Sequence, residues 1–236
     1  MKALKSLLLV SIFALTACGS SGGGGNSSSG EVNKEQTVEP VKPTTPTTPA
    51  APQAGGASKG TISGYTYTAP NGVVYALKNN IIQSAGMTTM KDKNGTLATC
   101  CGRMSYTTYG TWASGTDNAV FHATDKATAV ANVPTEGKAT YTGQALRGTT
   151  QETAVFGVDF AAKTIEGSVN TTDTEFGSLV SMQGNISGGS FSGTAESGGE
   201  SGVFNGQFNG SAAQELGGIA QFTDSSKDIA FGASHQ

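Results

Sequence analysis

Residues 180–210 read VSMQGNISGGSFSGTAESGGESGVFNGQFNG. Side chains along a strand alternate between two faces, so this stretch sorts itself into two sets. One face takes Met182, Gly184, Ile186, Phe191, Gly193, Ala195, Phe204, Gly206 and Phe208; the other takes Gln183, Asn185, Glu196, Asn205, Gln207 and Asn209. The pairs Gly188-Gly189 and Gly198-Gly199 interrupt the alternation at strand-length intervals, and a glycine pair suits the two-residue hairpin turn. Three consecutive hairpin-linked strands follow, with phenylalanines and glycines on a common face.

Working outward, the same rhythm extends over 133–236. Strands are expected at 138–148, 153–161, 164–172, 180–187, 190–197, 202–210, 218–223 and 228–234. Phe156, Val158, Phe160, Ile165, Gly167, Val169, Ile229 and Phe231 extend the apolar face; Asp159, Glu166 and Asn170 extend the polar one. Glycines beside rings on one face are what a narrow barrel interior requires, because rings from opposite walls must interdigitate over a short diameter. The expectation is an all-β chain ending in an eight-stranded soluble antiparallel barrel. A membrane barrel would turn its apolar face outward in strands of roughly 9–11 residues, and a glycine-pitted face makes a poor lipid surface. The stretch 211–215 breaks the rhythm and is read as one helical turn.

At the other end of the chain, Lys2 and Lys5 precede the apolar run 7–15, and small residues lead to Cys18. This is a leader for export, and Leu15-Thr16-Ala17-Cys18 resembles a bacterial lipobox. The resemblance implies cleavage before Cys18, lipid on its sulfur and acylation of the new N-terminus. Gly19 in place of an aspartate points to the outer membrane. Losing the two leader lysines takes the formal charge from −3 to −5, which argues against nucleic acid and anionic lipid surfaces as partners. The lipid is then the only membrane attachment. From residue 18 to 60 the composition is Gly, Ser, Thr, Pro and Ala with scattered charges, too apolar-poor to bury a core, and a tether is expected.

Residues 61–132 are expected to form a small β-rich unit leaning on the barrel, with extended runs at 65–68, 73–77, 81–84, 104–109 and 119–123. Cys100 and Cys101 are adjacent, and in an oxidising envelope a vicinal disulfide is preferred to free thiols. Such a ring serves either as a rigid apolar tip or as a simple turn lock. Around it gather Arg103, Met104, Tyr106, Tyr109, Trp112, Phe121 and His122. Aromatics and arginine dominate binding hot spots; the same residues equally supply the small sheet's own core. His122 is also a candidate axial ligand for a bound haem. The chain has two histidines, no Gly-x-Ser-x-Gly, no His-Glu-x-x-His and no phosphate loop, so catalysis is not expected, nor an intrinsic cofactor or metal.

Three stretches carry a family resemblance. Val133 to Gly143 (VPTEGKATYTG), Val158 to Gly167 (VDFAAKTIEG) and Phe204 to Gly210 (FNGQFNG), followed by Glu215-Leu216-Gly217-Gly218 and Phe231-Gly232-Ala233, together resemble the C-terminal barrel of transferrin-binding protein B-like surface lipoproteins. The resemblance implies a lobe built of a handle, 61–132, and a barrel, 133–236, carried to the cell surface by a dedicated lipoprotein translocator. A single lobe is similar to haemoglobin-binding lipoproteins, secreted haem-binding hemophilins and complement factor H-binding lipoproteins. The first implication is capture of a host haem or iron carrier, passed to a TonB-dependent transporter. The alternative implication is an immune-evasion or adhesion module that binds a host protein such as factor H. No ligand contact carries over residue by residue.

Overall fold

The computed structural model describes residues 55–78, 86–100, 104–170 and 179–236. Among them are sixteen strands and two short 3-10 turns. The first eight strands are β1 (Gly55–Ala57), β2 (Thr61–Ser63), β3 (Thr66–Thr68), β4 (Val74–Ala76), β5 (Thr88–Asp92), β6 (Gly95–Cys100), β7 (Thr108–Ser114) and β8 (Asp117–Ala123). They form two sheets: five strands in the order β1-β8-β7-β6-β5, and three in the order β2-β3-β4. The remaining eight are β9 (Lys138–Arg147), β10 (Thr150–Asp159), β11 (Thr164–Asn170), β12 (Val180–Ser187), β13 (Ser190–Ser197), β14 (Glu200–Asn209), β15 (Glu215–Phe222) and β16 (Ile229–His235). These close into an antiparallel barrel, with β16 hydrogen-bonded back to β9. All described residues fall in one compact unit, Thr48–Gln236.

Alternation places the side chains as the sequence predicts. Phe156, Val158, Ile165, Val169, Met182, Phe191, Phe204, Phe208, Ile229 and Phe231 are buried in one core cluster inside the barrel. The glycines make room for the rings. Phe156 faces Gly167, Phe191 faces Gly206 and Phe231 faces Gly218 across the ladder. In each pair a methyl group on the glycine would stand only 2.5 Å from the ring, well inside contact distance. Phe204 lies over Gly184 in the same way. Rings also meet inside the barrel, with centroids 4.9 Å apart for Phe156 and Phe231 and 5.4 Å for Phe191 and Phe208. The interior is therefore filled, with aromatic pairs at tilted or edge-on geometries that are favourable beyond area burial alone.

The hairpin between β13 and β14 turns at Gly198 and Gly199, both at positive φ (60° and 77°), the left-handed pair that matches the twist of the flanking strands. One barrel end is closed by Arg147, whose guanidinium donates to the Lys227 carbonyl at 2.9 Å and to Ser197 Oγ at 3.4 Å. Near the other end the Tyr141 hydroxyl donates to the Ala213 carbonyl at 2.6 Å.

Two expectations are corrected. The stretch 211–215 is not a helical turn: residues 211–213 make a plain turn and Glu215 opens β15. Ala213 there adopts φ 54°; that non-glycine left-handed residue coincides with the Tyr141 bond to its carbonyl. The tether expected over 18–60 also ends sooner, because β1 lies within it and pairs with β8 through Gly55–Ala123, Gly56–His122 and Ala57–Phe121. Backbone pairing needs no apolar side chains, so three small residues joined the sheet without a compositional signal. The expected run 81–84 lies outside the described residues. No helix among the described residues is long and apolar enough to cross a membrane.

Candidate functional site

The five-stranded sheet has two covered faces, and the candidate residues divide between them. Residues an odd number apart on a strand point to opposite sides, so Tyr109 and Trp112, both on β7, cannot share a surface. Trp112 joins Leu97, Ala119, Phe121 and Ala123 against Tyr67 and Tyr75 of the three-stranded sheet. Its indole Nε1 donates to the Tyr75 hydroxyl at 3.4 Å, and Phe121 stacks on Tyr67 at 4.5 Å. Tyr109 faces the other way, joining Cys100 and Val120 against Leu146, Ile219 and Ala230 on the outside of the barrel.

The barrel receives Tyr109 on a flat place. On the outer face of β15 and β16, Gly217 and Gly232 sit opposite each other in the ladder. A methyl group at Gly232 would meet the Tyr109 ring at 2.4 Å and Met104 Sδ at 3.1 Å; one at Gly217 would meet Thr107 Cγ2 at 2.6 Å. The two glycines thus let the handle sheet approach the barrel wall.

Around this apolar patch, polar side chains of the barrel's outer face are buried and bonded into the handle. Gln207 Oε1 accepts from the Gly55 backbone N–H at 3.2 Å, and Gln207 Nε2 donates to Asn209 Oδ1 at 3.0 Å. Asn209 Nδ2 then donates to Thr107 Oγ1 at 2.7 Å. The Glu215 carboxylate accepts from the backbone N–H groups of Ser105 at 2.6 Å and Tyr106 at 3.0 Å. Buried polar groups must be paired, and here the pairing fixes the segment 104–107 on the barrel. Replacing Glu215 by Gln removes the charge that assists both bonds and leaves one N–H facing an amide donor. A loss of about 1–2 kcal/mol is expected, read as a shifted urea midpoint.

The sequence-derived contact set is therefore mostly internal. Tyr109, Trp112, Phe121 and His122 are all buried, which favours the core reading of them over the hot-spot reading. Trp112 and Phe121 fill the space between the two handle sheets, and Tyr109 and His122 the contact with the barrel wall. Met104 and Tyr106 are half-buried at the rim; Tyr106 packs on Gly210, and Lys126 Nζ lies 5.1 Å above its ring. Tyr65 donates its hydroxyl to the Tyr106 carbonyl at 3.0 Å; burial, with Asp125 next, pushes its pKa up to about 12. Cys100 is buried with Sγ 3.3 Å from Gln144 Oε1, while Cys101 and Arg103 lie outside the described residues, as does Cys18. His122 is 3% exposed and desolvation lowers its pKa to about 4, so the imidazole is neutral at pH 7. Among the described residues no cluster of His, Cys, Asp and Glu is arranged to hold a metal ion.

Sequence reading missed Gln207, Asn209, Glu215 and Thr107. Their only trace was the pair Gly217 and Gly232 at outward positions, where an exposed barrel wall has no need of glycine. The large apolar side chains that the handle exposes are Val74 on β4 and Met90 on β5, each on an edge strand of its sheet.

A comparison with protein families matches residues 102–235 to the sequence model of the C-lobe and N-lobe beta barrels of Tf-binding protein B. Among solved structures, the apo haemoglobin receptor HpuA from Kingella denitrificans superposes with a TM-score of 0.62 at 20% identity, covering 79% of this chain and 88% of the receptor. The same receptor in complex with human haemoglobin gives 0.62 at 22% identity, with coverages of 78% and 85%. The isotype 1 transferrin binding protein B from serogroup B Neisseria meningitidis gives 0.54 at 22% identity, covering 73% of this chain and 39% of that protein. No curated protein sequence matches.

Proposed function

We propose, from the premise that this chain belongs to the family of the C-lobe and N-lobe beta barrels of Tf-binding protein B, that it is a lipid-anchored outer-membrane receptor for a host iron carrier, haemoglobin foremost. The observation that carries the reading is the extent of the likeness to the haemoglobin receptor: handle and barrel align together, over most of both chains, as a single lobe. The likeness to the transferrin-binding protein is weaker, with a TM-score of 0.54 against 0.62, which ranks haemoglobin ahead of transferrin as the carrier.

In this reading Cys18 carries the lipid, a translocator brings the protein to the surface, and a TonB-dependent transporter receives the cargo. Haem arrives inside its carrier, since His122 is enclosed between the handle and barrel. A Cys100–Cys101 disulfide follows β6. The carrier docks on the exposed edge strands of the handle, through Val74 on β4 and through Met90 beside Lys91 on β5. Apolar anchors ringed by polar groups are the usual seat of binding energy.

The test is capture from human haemolysate and serum on the immobilised protein, with an absorbance scan of the eluate. Haemoglobin with a Soret band is the expected product, and Val74→Asp together with Met90→Asp should weaken its binding at least tenfold. Factor H without haem, or no carrier at all, would refute the proposal.

A further inference from the structure

Beneath β1, between its backbone and the outer wall of β13, β14 and β15, lies a cleft of about 410 Å³ that the handle–barrel contacts do not fill. Its floor is a row across three strands: Ser192 opposite Asn205, and Asn205 opposite Ile219. Gln221 stands two residues beyond Ile219 on the same face of β15 and also lines the cleft. The roof is Gly56, and the back wall is the His122 imidazole, whose Nε2 lies 3.1 Å from where a Gly56 methyl would sit. Asn205 Oδ1 reaches to 3.9 Å of that same point.

The chemistry of the lining is narrow. Every polar group in it is neutral: hydroxyls, side-chain amides, backbone and one imidazole. No cationic side chain is present to take an anion and no carboxylate to take a cation, so a charged ligand would enter uncompensated. Amides and hydroxyls offer donors and acceptors side by side, matching the adjacent hydroxyls of a sugar ring, which both donate and accept, while Ile219, only 2% exposed, closes the floor beneath them.

We infer that this cleft binds one neutral sugar residue, held by Asn205 and Gln221 over the Ser192–Asn205–Ile219 row. The volume lies within the roughly 300–1,000 Å³ typical of small-ligand sites and accommodates one ring. The sugar arrives either free or as the neutral terminal unit of a glycan, and both present the same hydroxyls.

Saturation-transfer NMR on the purified full-length protein in detergent tests this, with glucose, galactose, mannose and N-acetylglucosamine as free probes and a desialylated N-glycan as the second arm. Signal from at least one neutral probe is expected. Asn205→Ala and Gln221→Ala, both on the barrel surface and neutral to folding by circular dichroism, should each weaken it at least tenfold. Gly56→Val should abolish it by filling the roof. Preference for the glycan would identify a terminal-sugar site, and preference for a monosaccharide a free-sugar site. The inference is overturned if no neutral sugar gives a signal, if binding survives both Asn205→Ala and Gln221→Ala, or if sialic acid binds as well as the neutral probes. No haem carrier enters the assay, so its failure and that of the haemoglobin test are read separately.

Discussion

Tyr109→Ala is expected to separate the unfolding of the handle from that of the barrel. The ring is buried between β7 and the outer wall, flat against Gly232, and removing a fully buried aromatic costs about 3–5 kcal/mol through lost transfer energy and the cavity left behind. The cost falls on the contact that ties the two parts together. Trp112 is the chain's one tryptophan and sits in the handle, so its fluorescence reports that part while far-ultraviolet circular dichroism is dominated by the barrel. In the native protein the two urea transitions should coincide, and in Tyr109→Ala the tryptophan transition should move to lower urea. Gly232→Val attacks the same contact from the barrel side, with about 1–3 kcal/mol of overpacking. Most of that penalty should vanish in the Tyr109→Ala background, where the ring it strikes is gone. Coincident transitions in Tyr109→Ala, or simple additivity of the two variants, would show that the glycine wall does not seat the handle.

Acid should loosen the same junction through His122. Desolvation lowers its pKa from 6.5 to about 4, so between those values the unfolded chain binds a proton that the fold excludes. Stability is then unaffected above pH 6.5 and declines as pH falls toward 4, by on the order of 3 kcal/mol in all. Asp228 acts in the opposite sense. Burial, partly offset by the Phe222 N–H that it accepts at 2.8 Å, pushes its carboxyl up to about 6. The fold takes up that proton before the unfolded chain does, so this group adds stability as pH drops through 6. The native protein shows the difference of the two effects. His122→Leu should therefore be less destabilised, or even stabilised, on going from pH 6.5 to 4.5, and Asp228→Asn should lose stability more steeply than the native chain. Urea midpoints at half-unit pH steps check this; parallel profiles for all three proteins would remove both groups from the account.

The barrel was legible because its interior is written twice, once in the alternation and again in the pairing of rings with glycines. Val180–Ser187 and Ser190–Ser197 were read to the residue, and the other barrel strands to within a few. The handle was harder. Strands β5 and β6, Thr88–Asp92 and Gly95–Cys100, carry polar and small residues that alternate weakly, and their place is set by neighbouring strands rather than by local pattern. The aromatic candidates misled for a related reason. Closeness in sequence suggested one surface, whereas period-two geometry sent Trp112 and Tyr109 into separate interiors. Gln207 and Asn209 looked solvated because alternation puts them outside the barrel, Glu215 was read into a helical turn, and nothing local announces that a second sheet covers that outside. The cleft under β1 escaped for the same cause, as it exists only where two distant segments meet.

Strand β9 begins the barrel and waits for β16, Ile229–His235, to finish it. Until that strand has been made, β9 and β15 each present an open row of backbone donors and acceptors, and an unfinished sheet with two such edges invites pairing with other chains. Barrel closure waits on the β16–β9 pairing, since that contact joins the strands of the barrel most widely separated in sequence. Removal of 229–235 should therefore leave an open sheet with two unpaired edges, which self-association on gel filtration would report.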